Sequence, residues 1–221
     1  MSFLYITQAA SGLPTIYECL RKKEFVLLSY KNNTPDTHVF LPKSTWTTGR
    51  NALREYVLGL EKQYDYYVFM DQDVVFDGYS QEDGFNKLEE LVNIHRPHIA
   101  TPHYITWEFN QLIPDAGAQT TIWYDGLCNI FSRDSLMSSD IFPYVDLFDN
   151  TCWWSSQYIM IILCSINNKD IIMFNNLKIC NTSSTEYPRG NNGLELAKEY
   201  VFNTLGKQGK LQWDKKILKT L

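Results

Sequence analysis

Short apolar runs alternate with helix-period segments through the first hundred residues, and this alternation limits the possible folds more than any other sequence feature. Apolar runs at residues 3–6, 25–30 and 66–70 have the length of buried strands. Between the last two runs, apolar residues recur every three or four positions from 52 to 60, as on one face of a helix. Strands separated in this way form a mainly parallel sheet with helices on both faces. We therefore expect an α/β fold.

The rest of the chain adds a second helix and a less regular half. Ser80 and Asp83 form a helix-start pattern. After residue 100 the expected elements are β-rich runs at 119–124 and 127–132, a helix at 153–166, a strand at 170–174 and an amphipathic helix at 193–205. Because 221 residues without a repeat or linker commonly form one domain, we expect a single domain with a smaller mixed β region in its second half.

Composition and charge exclude some partners. Apolar residues make up 44% of the chain and charged residues 20%, which is ordinary for a folded globular protein. The formal net charge is -5 and the isoelectric point is near 5.4, so there is no global positive field to hold a nucleic acid or an anionic membrane. We expect no nucleic-acid partner, and any phosphate group must be bound by a local site.

The sequence also predicts a compartment. The longest apolar run, at 158–164, is far shorter than the roughly 20 residues of a membrane-spanning helix, so we expect no transmembrane segment. The first residues lack the basic and apolar regions of a signal peptide. The five cysteines are widely spaced and include no Cys-x-x-Cys pair. These features favour a reducing compartment, the cytoplasm.

An acidic triplet follows the apolar run at 66–70 and carries the main indication of chemistry. In a strand, residues two apart point to the same side, so Asp71 and Asp73 can present two carboxylates to one point while Gln72 faces away. Mg²⁺ and Mn²⁺ prefer oxygen ligands and keep positions open for phosphate oxygens. In open α/β sheets, ligands collect beyond the carboxyl ends of strands, which is where this triplet lies.

The segment TTGRNALREYVLGLEKQYDYYVFMDQDVVF, residues 47–76, resembles the region that leads into the metal motif of GT-A-fold glycosyltransferases. The resemblance covers about the first 105 residues well and the remainder loosely. It implies a single GT-A-like domain, with a nucleotide-sugar-binding half at about 1–105 and an acceptor-binding half with a C-terminal lid and helix at about 106–221. Compact domains without a leader also look like those of large DNA viruses, for which the compartment would be the host cytoplasm.

The resemblance implies an activity and a donor site. The activity is transfer of a sugar from a nucleotide diphosphate, with UDP the favoured carrier, to a glycan acceptor, assisted by Mn²⁺ or Mg²⁺. A helix N-terminus that carries arginine is a reasonable anion site in its own right. The implied metal ligands are Asp71, Asp73 and, from the C-terminal portion, Asn181. The other donor-site residues that we expect are Thr7, Gln8, Ala9, Arg50, Asn51, Arg54, Gln72, Tyr187 and Arg189.

The acceptor side departs from the family pattern. Asp125 in WYDGLCNIFSR is placed to bond a sugar hydroxyl, although an Asp-Gly turn is the structural alternative. The acidic pair expected near the next helix start is replaced by SSQ at 155–157. Asp149 and Asp146 are the nearest alternatives for a general base, and the stereochemical outcome stays open. Trp153 and Trp154 are candidates for an acceptor platform, and we expect one of them to belong to the core.

Other functions remain as alternatives. A dinucleotide oxidoreductase is disfavoured because no Gly-x-Gly-x-x-Gly follows the first strand. A sugar nucleotidylyltransferase would share the sheet, but ITQAASGLP does not match its glycine-rich, basic N-terminal loop. A catalytically idle module that binds sugar or nucleotide is favoured by the missing acidic pair and disfavoured by the intact Asp71 and Asp73.

Overall fold

The structure is a computed structural model that describes residues 1–105, 112–113, 115–167, 169–183, 188 and 190–207. A nine-stranded sheet lies at the centre of these residues. The strands are β1 (Phe3–Ser11), β2 (Phe25–Asn32), β3 (Val39–Phe40), β4 (Tyr66–Asp71), β5 (Val74–Phe76), β6 (Ile99–Tyr104), β7 (Ala118–Thr121), β8 (Cys128–Ser132) and β9 (Ile171–Asn181). The helices are α1 (Trp46–Leu58), α2 (Gln81–His95), α3 (Arg133–Met137), α4 (Trp154–Ile166) and α5 (Gly193–Glu199). A 3₁₀ helix (Thr15–Lys22) joins β1 to β2, and a wider helical turn (Tyr200–Thr204) follows α5.

The strand order is β3-β2-β1-β4-β8-β6-β9-β5, and β7 pairs with β9. The pairs from β3 to β4 are all parallel, as the strand–helix alternation predicts for the first half of the chain. β8 is antiparallel to both β4 and β6, while β6 and β9 are parallel. The expected single α/β domain with a central sheet flanked by helices is confirmed, and the sheet as a whole is mixed.

Both faces of the sheet are covered. Leu4 and Ile6 of β1 point into a core that they share with α1, α4 and α5. Tyr5, which lies between them, points to the opposite face, where the 3₁₀ helix and α2 complete a second core. This alternation of side chains within one strand explains why its sequence is apolar without interruption.

The first turn of α1 sits against the end of β1. The helix begins at Trp46, with Thr45 as its N-cap and a reciprocal capping box between Thr45 and Thr48, so it starts before the helical period that the sequence shows at 52–60. A Cβ atom on Gly49 would lie 2.1 Å from Oε1 of Gln8. Glycine at this position therefore lets the helix approach the carboxyl end of β1 closely.

Helices α2, α4 and α5 agree with the sequence prediction, whereas α3 was not predicted. α2 begins after the N-cap Ser80, whose side chain accepts a hydrogen bond from the backbone N–H of Asp83. α4 covers nearly all of the range 153–166 predicted for it, and α5 with its wider final turn nearly fills 193–205. Within the described ranges, no helix is both long and apolar enough to span a bilayer.

β9 is longer than predicted. It continues from Ile171 to Asn181, whereas the sequence pattern indicated an end at 174. The extension is stabilised by pairing with β5, in which Asn181 lies opposite Val74, and by further pairing with β6. These partners are distant in sequence, so local periodicity carries no signal for them. The result is that the end of β9 lies beside the acidic triplet.

Candidate functional site

A tight turn carries the acidic triplet. β4 ends at Asp71, residues 72 and 73 form the turn, and β5 begins at Val74. We call residues 71–74 the acidic turn. The expectation that Asp71 and Asp73 share one side through strand alternation is wrong, because Asp73 is not in a strand. The turn itself keeps the two carboxylates close enough that the charge of Asp73 raises the pKa of Asp71.

Asp71 is held by the first turns of α1. Its Oδ1 accepts hydrogen bonds from Trp46 Nε1 at 3.0 Å and from Arg50 Nη2 at 2.8 Å. The side chain of Arg50 is only 2% exposed, and its Nη2 also donates to the carbonyl oxygen of Gly126 at 2.5 Å. The guanidinium lies over the Trp46 ring at 4.3 Å. Arg50 thus binds Asp71 from within the core, and its place near the donor remains a prediction.

Burial and charge act in opposite directions on Asp71. Burial raises the pKa of its carboxyl group, and the charge of Asp73 raises it further. The charge and hydrogen bond of Arg50, and the hydrogen bond of Trp46, lower it. Burial outweighs the rest, so the pKa of Asp71 is raised above its ordinary value, and a cation bound nearby would favour the ionised carboxylate.

Asp73 and Asn181 are brought together by Ser183. Oδ2 of Asp73 accepts hydrogen bonds from the Ser183 hydroxyl at 2.6 Å and from its backbone N–H at 3.2 Å. The Asn181 amide donates to the Ser183 carbonyl at 2.8 Å, and its Oδ1 accepts from the Tyr104 hydroxyl at 3.0 Å. Asn181 therefore lies beside Asp73, and its role as a metal ligand remains a prediction.

The oxygen atoms of this site fit a hard divalent cation. Oδ2 of Asp71 and Oδ1 of Asp73 accept no hydrogen bond from the residues that the structure describes. In those same residues, no group of three or more His, Cys, Asp or Glu could hold a metal ion. Two carboxylates with a neighbouring amide suit Mg²⁺ or Mn²⁺, since such ions complete their shell with water and phosphate oxygens.

The end of β1 borders the acidic turn. Gln8 lies opposite Asp71 in the parallel pairing of β1 with β4, and the backbone N–H of Ala10 donates to Gln72 Oε1 at 3.0 Å. The buried oxygen atoms Oγ1 of Thr7 and Oε1 of Gln8 have no hydrogen-bond partner within the described part of the chain. Such atoms require a partner, which a bound ligand can supply. Ala9 is buried in the core on the α2 side.

Four other donor-site predictions have different outcomes. The amide of Asn51 exchanges two hydrogen bonds with the backbone of Tyr144, at 2.8 and 2.9 Å. Arg54 donates to the Leu136 carbonyl at 2.8 Å and lies over the Phe142 ring at 5.0 Å. Both side chains attach α1 to the segment 136–144, so we withdraw them from the donor site. The predictions for Tyr187 and Arg189 lie outside the described residues.

Asp125 is a buried carboxyl group close to the acidic turn. It is 5% exposed, and its Oδ1 accepts a hydrogen bond from the backbone N–H of Leu127 at 2.8 Å. Its pKa is raised to about 7, mainly by burial. The charge of Asp71 also raises the pKa, while the Leu127 hydrogen bond and the charge of Arg50 lower it. The influence of Asp71 and Arg50 places Asp125 near the same charge cluster. A carboxyl group with a pKa near neutrality is suited to general-base chemistry.

Asp149 has a structural environment instead. It is buried, its Oδ2 accepts a hydrogen bond from the Thr45 hydroxyl, and its Oδ1 accepts one from the Thr47 hydroxyl at 2.6 Å. Both oxygens thus bind the N-terminus of α1, where a carboxylate is also favoured by the helix dipole. The assignment of Asp149 as a base is corrected on this ground. Asp146 is exposed.

The Asp149→Ala variant is expected to lose about 2–3 kcal/mol of unfolding free energy, because two hydrogen bonds to a carboxylate disappear and two threonine hydroxyls lose their acceptor. Urea denaturation measures this loss, with Asp146→Ala as an exposed control that should change stability by less than about 0.5 kcal/mol. An Asp149→Ala protein of unchanged stability but without activity would restore Asp149 as the base.

The two tryptophans differ in burial. Their rings stack at 4.3 Å with an interplanar angle of 24°. Trp153 is 9% exposed and packs on Trp46, so it belongs to the core, as expected for one of the pair. Trp154 is partly buried and stacks with Tyr158 at 6.4 Å. Trp154 remains the candidate for an acceptor surface.

Several residues of the site were not predicted from the sequence. Trp46 lies just before the Gly-Arg-Asn helix start, and as an apolar residue it gave no indication of a role in the site. Ser183 lies in a segment whose composition is that of any surface loop. Tyr17, whose hydroxyl contacts the acidic turn at 2.6 Å, resembles a core residue in the sequence. Contacts of this kind depend on the tertiary fold and leave no local signal.

Comparisons with known proteins find the fold and no close relative. No family model matches the chain, and no curated protein sequence does. Among solved structures, A197 from STIV is similar with a TM-score of 0.50 at 14% identity, over 86% of this chain and 95% of A197. Residues 1–349 of S. aureus TarS are similar with a TM-score of 0.52 at 10% identity, over 92% of this chain and 66% of the TarS chain.

A third similar structure is GalNAc-T7 with UDP, GalNAc and Mn²⁺, which has a TM-score of 0.54 at 11% identity. The similarity covers 84% of this chain and 44% of that one. The chain thus spans about two thirds of the TarS structure and less than half of GalNAc-T7. At these identities the comparisons show a shared GT-A-like fold.

Proposed function

We propose that this chain is a glycosyltransferase that moves a sugar from a nucleotide diphosphate, with UDP favoured, to a glycan acceptor. The observation that carries the proposal is the acidic turn at the carboxyl end of β4, where Asp71 lies opposite Gln8 of β1 and Asp73 follows in the turn. The structures of similar fold support it, because they are glycosyltransferases of the GT-A type and include TarS with UDP-GlcNAc and with UDP.

Each residue of the site has a role in this proposal. Asp71 and Asp73 hold Mn²⁺ or Mg²⁺, with Asn181 as a third ligand. The ion supplies positive charge that stabilises the departing diphosphate. Thr7, Gln8 and Gln72 border the nucleotide, and Tyr187 and Arg189 contact the diphosphate. Because α1 fixes Asp71 through Arg50 and Trp46, that carboxylate is positioned before the donor binds, which favours catalysis.

We assign the acid–base role on the acceptor side to Asp125 and test it with one pair of variants. Asp125→Asn is expected to lower kcat by about 10²- to 10⁴-fold, since the amide cannot accept the acceptor proton. The fold should persist, because an asparagine oxygen still accepts the Leu127 hydrogen bond. Asp146→Asn is the matched control, and its kcat should not change. The reverse pattern, a loss in Asp146→Asn alone, would move the role to Asp146.

The proposed function is tested by binding and turnover in sequence. Calorimetry should show UDP binding that requires Mn²⁺ and disappears in EDTA, and a UDP-release assay with a panel of UDP-sugars should then show donor hydrolysis. Binding without turnover of any donor would favour the idle module, for which the buried Ser155, Ser156 and Gln157 in place of acids are the supporting observation. Pyrophosphate release from UTP and a sugar 1-phosphate would favour a nucleotidylyltransferase.

A further inference from the structure

We propose that Tyr17 is a positioning residue for the acidic turn, an inference that rests on the proposed function of that turn. Tyr17 belongs to the 3₁₀ helix and is fully buried. Its hydroxyl lies 2.6 Å from the carbonyl oxygen of Asp71 and 3.1 Å from both the backbone nitrogen and the carbonyl oxygen of Val74. The hydroxyl donates its one proton to the Asp71 carbonyl and accepts from the Val74 N–H.

The two backbone groups that Tyr17 bridges are the ends of the acidic turn. A carbonyl at position i and an N–H at position i+3 are the groups that close an ordinary β-turn. Here the Tyr17 hydroxyl joins them and so sets the separation of Asp71 from Val74. Both ends are anchored elsewhere, since the Asp71 N–H donates to the Leu127 carbonyl at 2.8 Å and Val74 pairs with Asn181.

Removal of the Tyr17 hydroxyl is therefore expected to change the position of Asp73. The buried carbonyl and N–H would be left without this partner, which is costly, and the turn would rearrange to satisfy them. The turn between the two ends would carry part of this change, and it would also strain the hydrogen bonds that hold Asp73 to Thr182 and Ser183. The carboxylate of Asp73 would then move relative to that of Asp71, and a cation that needs both would bind less tightly.

Tyr5 offers a matched control for the hydroxyl. It is 1% exposed and, like Tyr17, packs against the Phe85 ring, at 4.9 Å compared with 6.0 Å for Tyr17. Its hydroxyl donates to Glu89 Oε1 at 2.6 Å rather than to the acidic turn. Tyr5→Phe and Tyr17→Phe thus each remove one buried hydroxyl from the same core, and only Tyr17→Phe changes the acidic turn.

Two readouts on the full chain test the inference. Hydrogen exchange of the Val74 amide, measured without metal, should become about tenfold faster or more in Tyr17→Phe and stay unchanged in Tyr5→Phe. Mn²⁺ affinity in the presence of UDP, followed by the electron paramagnetic resonance of free Mn²⁺, should fall about tenfold in Tyr17→Phe alone. We expect both variants to lose a similar amount of thermal stability. A difference in Mn²⁺ affinity between them therefore cannot come from stability.

The outcomes separate the two claims. If the parent protein binds no Mn²⁺ with UDP, the proposed function fails, and the positioning role fails with it whatever the exchange of the Val74 amide. If the parent binds Mn²⁺ and Tyr17→Phe binds it equally well, the inference alone is overturned. Should Tyr17→Phe not fold, the hydroxyl is tested in the parent protein by NMR. We expect a Tyr17 hydroxyl proton that exchanges slowly with water and a protected Val74 amide proton, and exchange of either as fast as in an unstructured peptide would overturn the inference.

Discussion

Replacement of Arg50 by methionine is expected to lower the free energy of unfolding by about 3–5 kcal/mol, because the partner carboxylate of Asp71 would remain partly buried without its cation. The Gly126 carbonyl would also lose a donor, and the Trp46 ring would lose the guanidinium that lies over it. In a chain of this length the loss corresponds to a decrease in Tm of roughly 10 °C. Chemical denaturation followed by tryptophan fluorescence measures it.

Arg54→Met is the matched control for this prediction. Arg54 lies one turn further along α1, bonds to a backbone carbonyl and covers the Phe142 ring, but has no carboxylate partner in the described residues. We expect its loss to be about 1–2 kcal/mol. Adding Asp71→Asn to Arg50→Met should restore part of the stability, since the unpaired charge is then removed. Equal effects of the two arginine variants would contradict the ion pair as the main source of stability.

Replacement of Asp73 by asparagine is expected to weaken Mn²⁺-dependent UDP binding by more than about 100-fold, since loss of an outer-shell partner alone commonly costs 10- to 100-fold. The fold should be retained, because an asparagine oxygen can still accept the two hydrogen bonds from Ser183. Calorimetry with UDP and Mn²⁺ measures the affinity, and the urea midpoint confirms the fold.

Asp77→Asn controls for the loss of one negative charge near the same edge of the sheet. Asp77 is exposed and follows β5. Its replacement should leave the Mn²⁺-dependent affinity for UDP within about twofold of the parent value, as expected for a solvated charge. Unchanged affinity in Asp73→Asn, or an equal loss in both variants, would remove Asp73 from the metal site.

Much of the fold could be predicted because its signals are local. The helical period of residues 52–60 and the helix-start pattern at Ser80 depend on neighbours along the chain, and both elements are where the sequence indicated. The second half of β9 could not be predicted, since it is stabilised by β5, about a hundred residues earlier. The same limit explains why the acidic turn was taken for a continuation of the strand.

The candidate site was predictable at the level of residue types and less so at the level of their contacts. Asp71 and Asp73 follow an apolar run, which the sequence shows directly. That Arg50 points inward to Asp71 depends on how α1 packs against Gly126, and no spacing rule contains this information. Asp149 likewise accepts hydrogen bonds from two threonine hydroxyls at the start of a helix about a hundred residues earlier in the chain.

The most direct test of the account is a crystal structure of this chain with Mn²⁺ and a UDP-sugar bound. We expect the ion within about 2.0–2.5 Å of carboxylate oxygens of Asp71 or Asp73 and of the diphosphate, with the uracil against the end of β1. An ion and nucleotide bound away from the acidic turn, with both carboxylates in contact only with protein, would contradict the central claim.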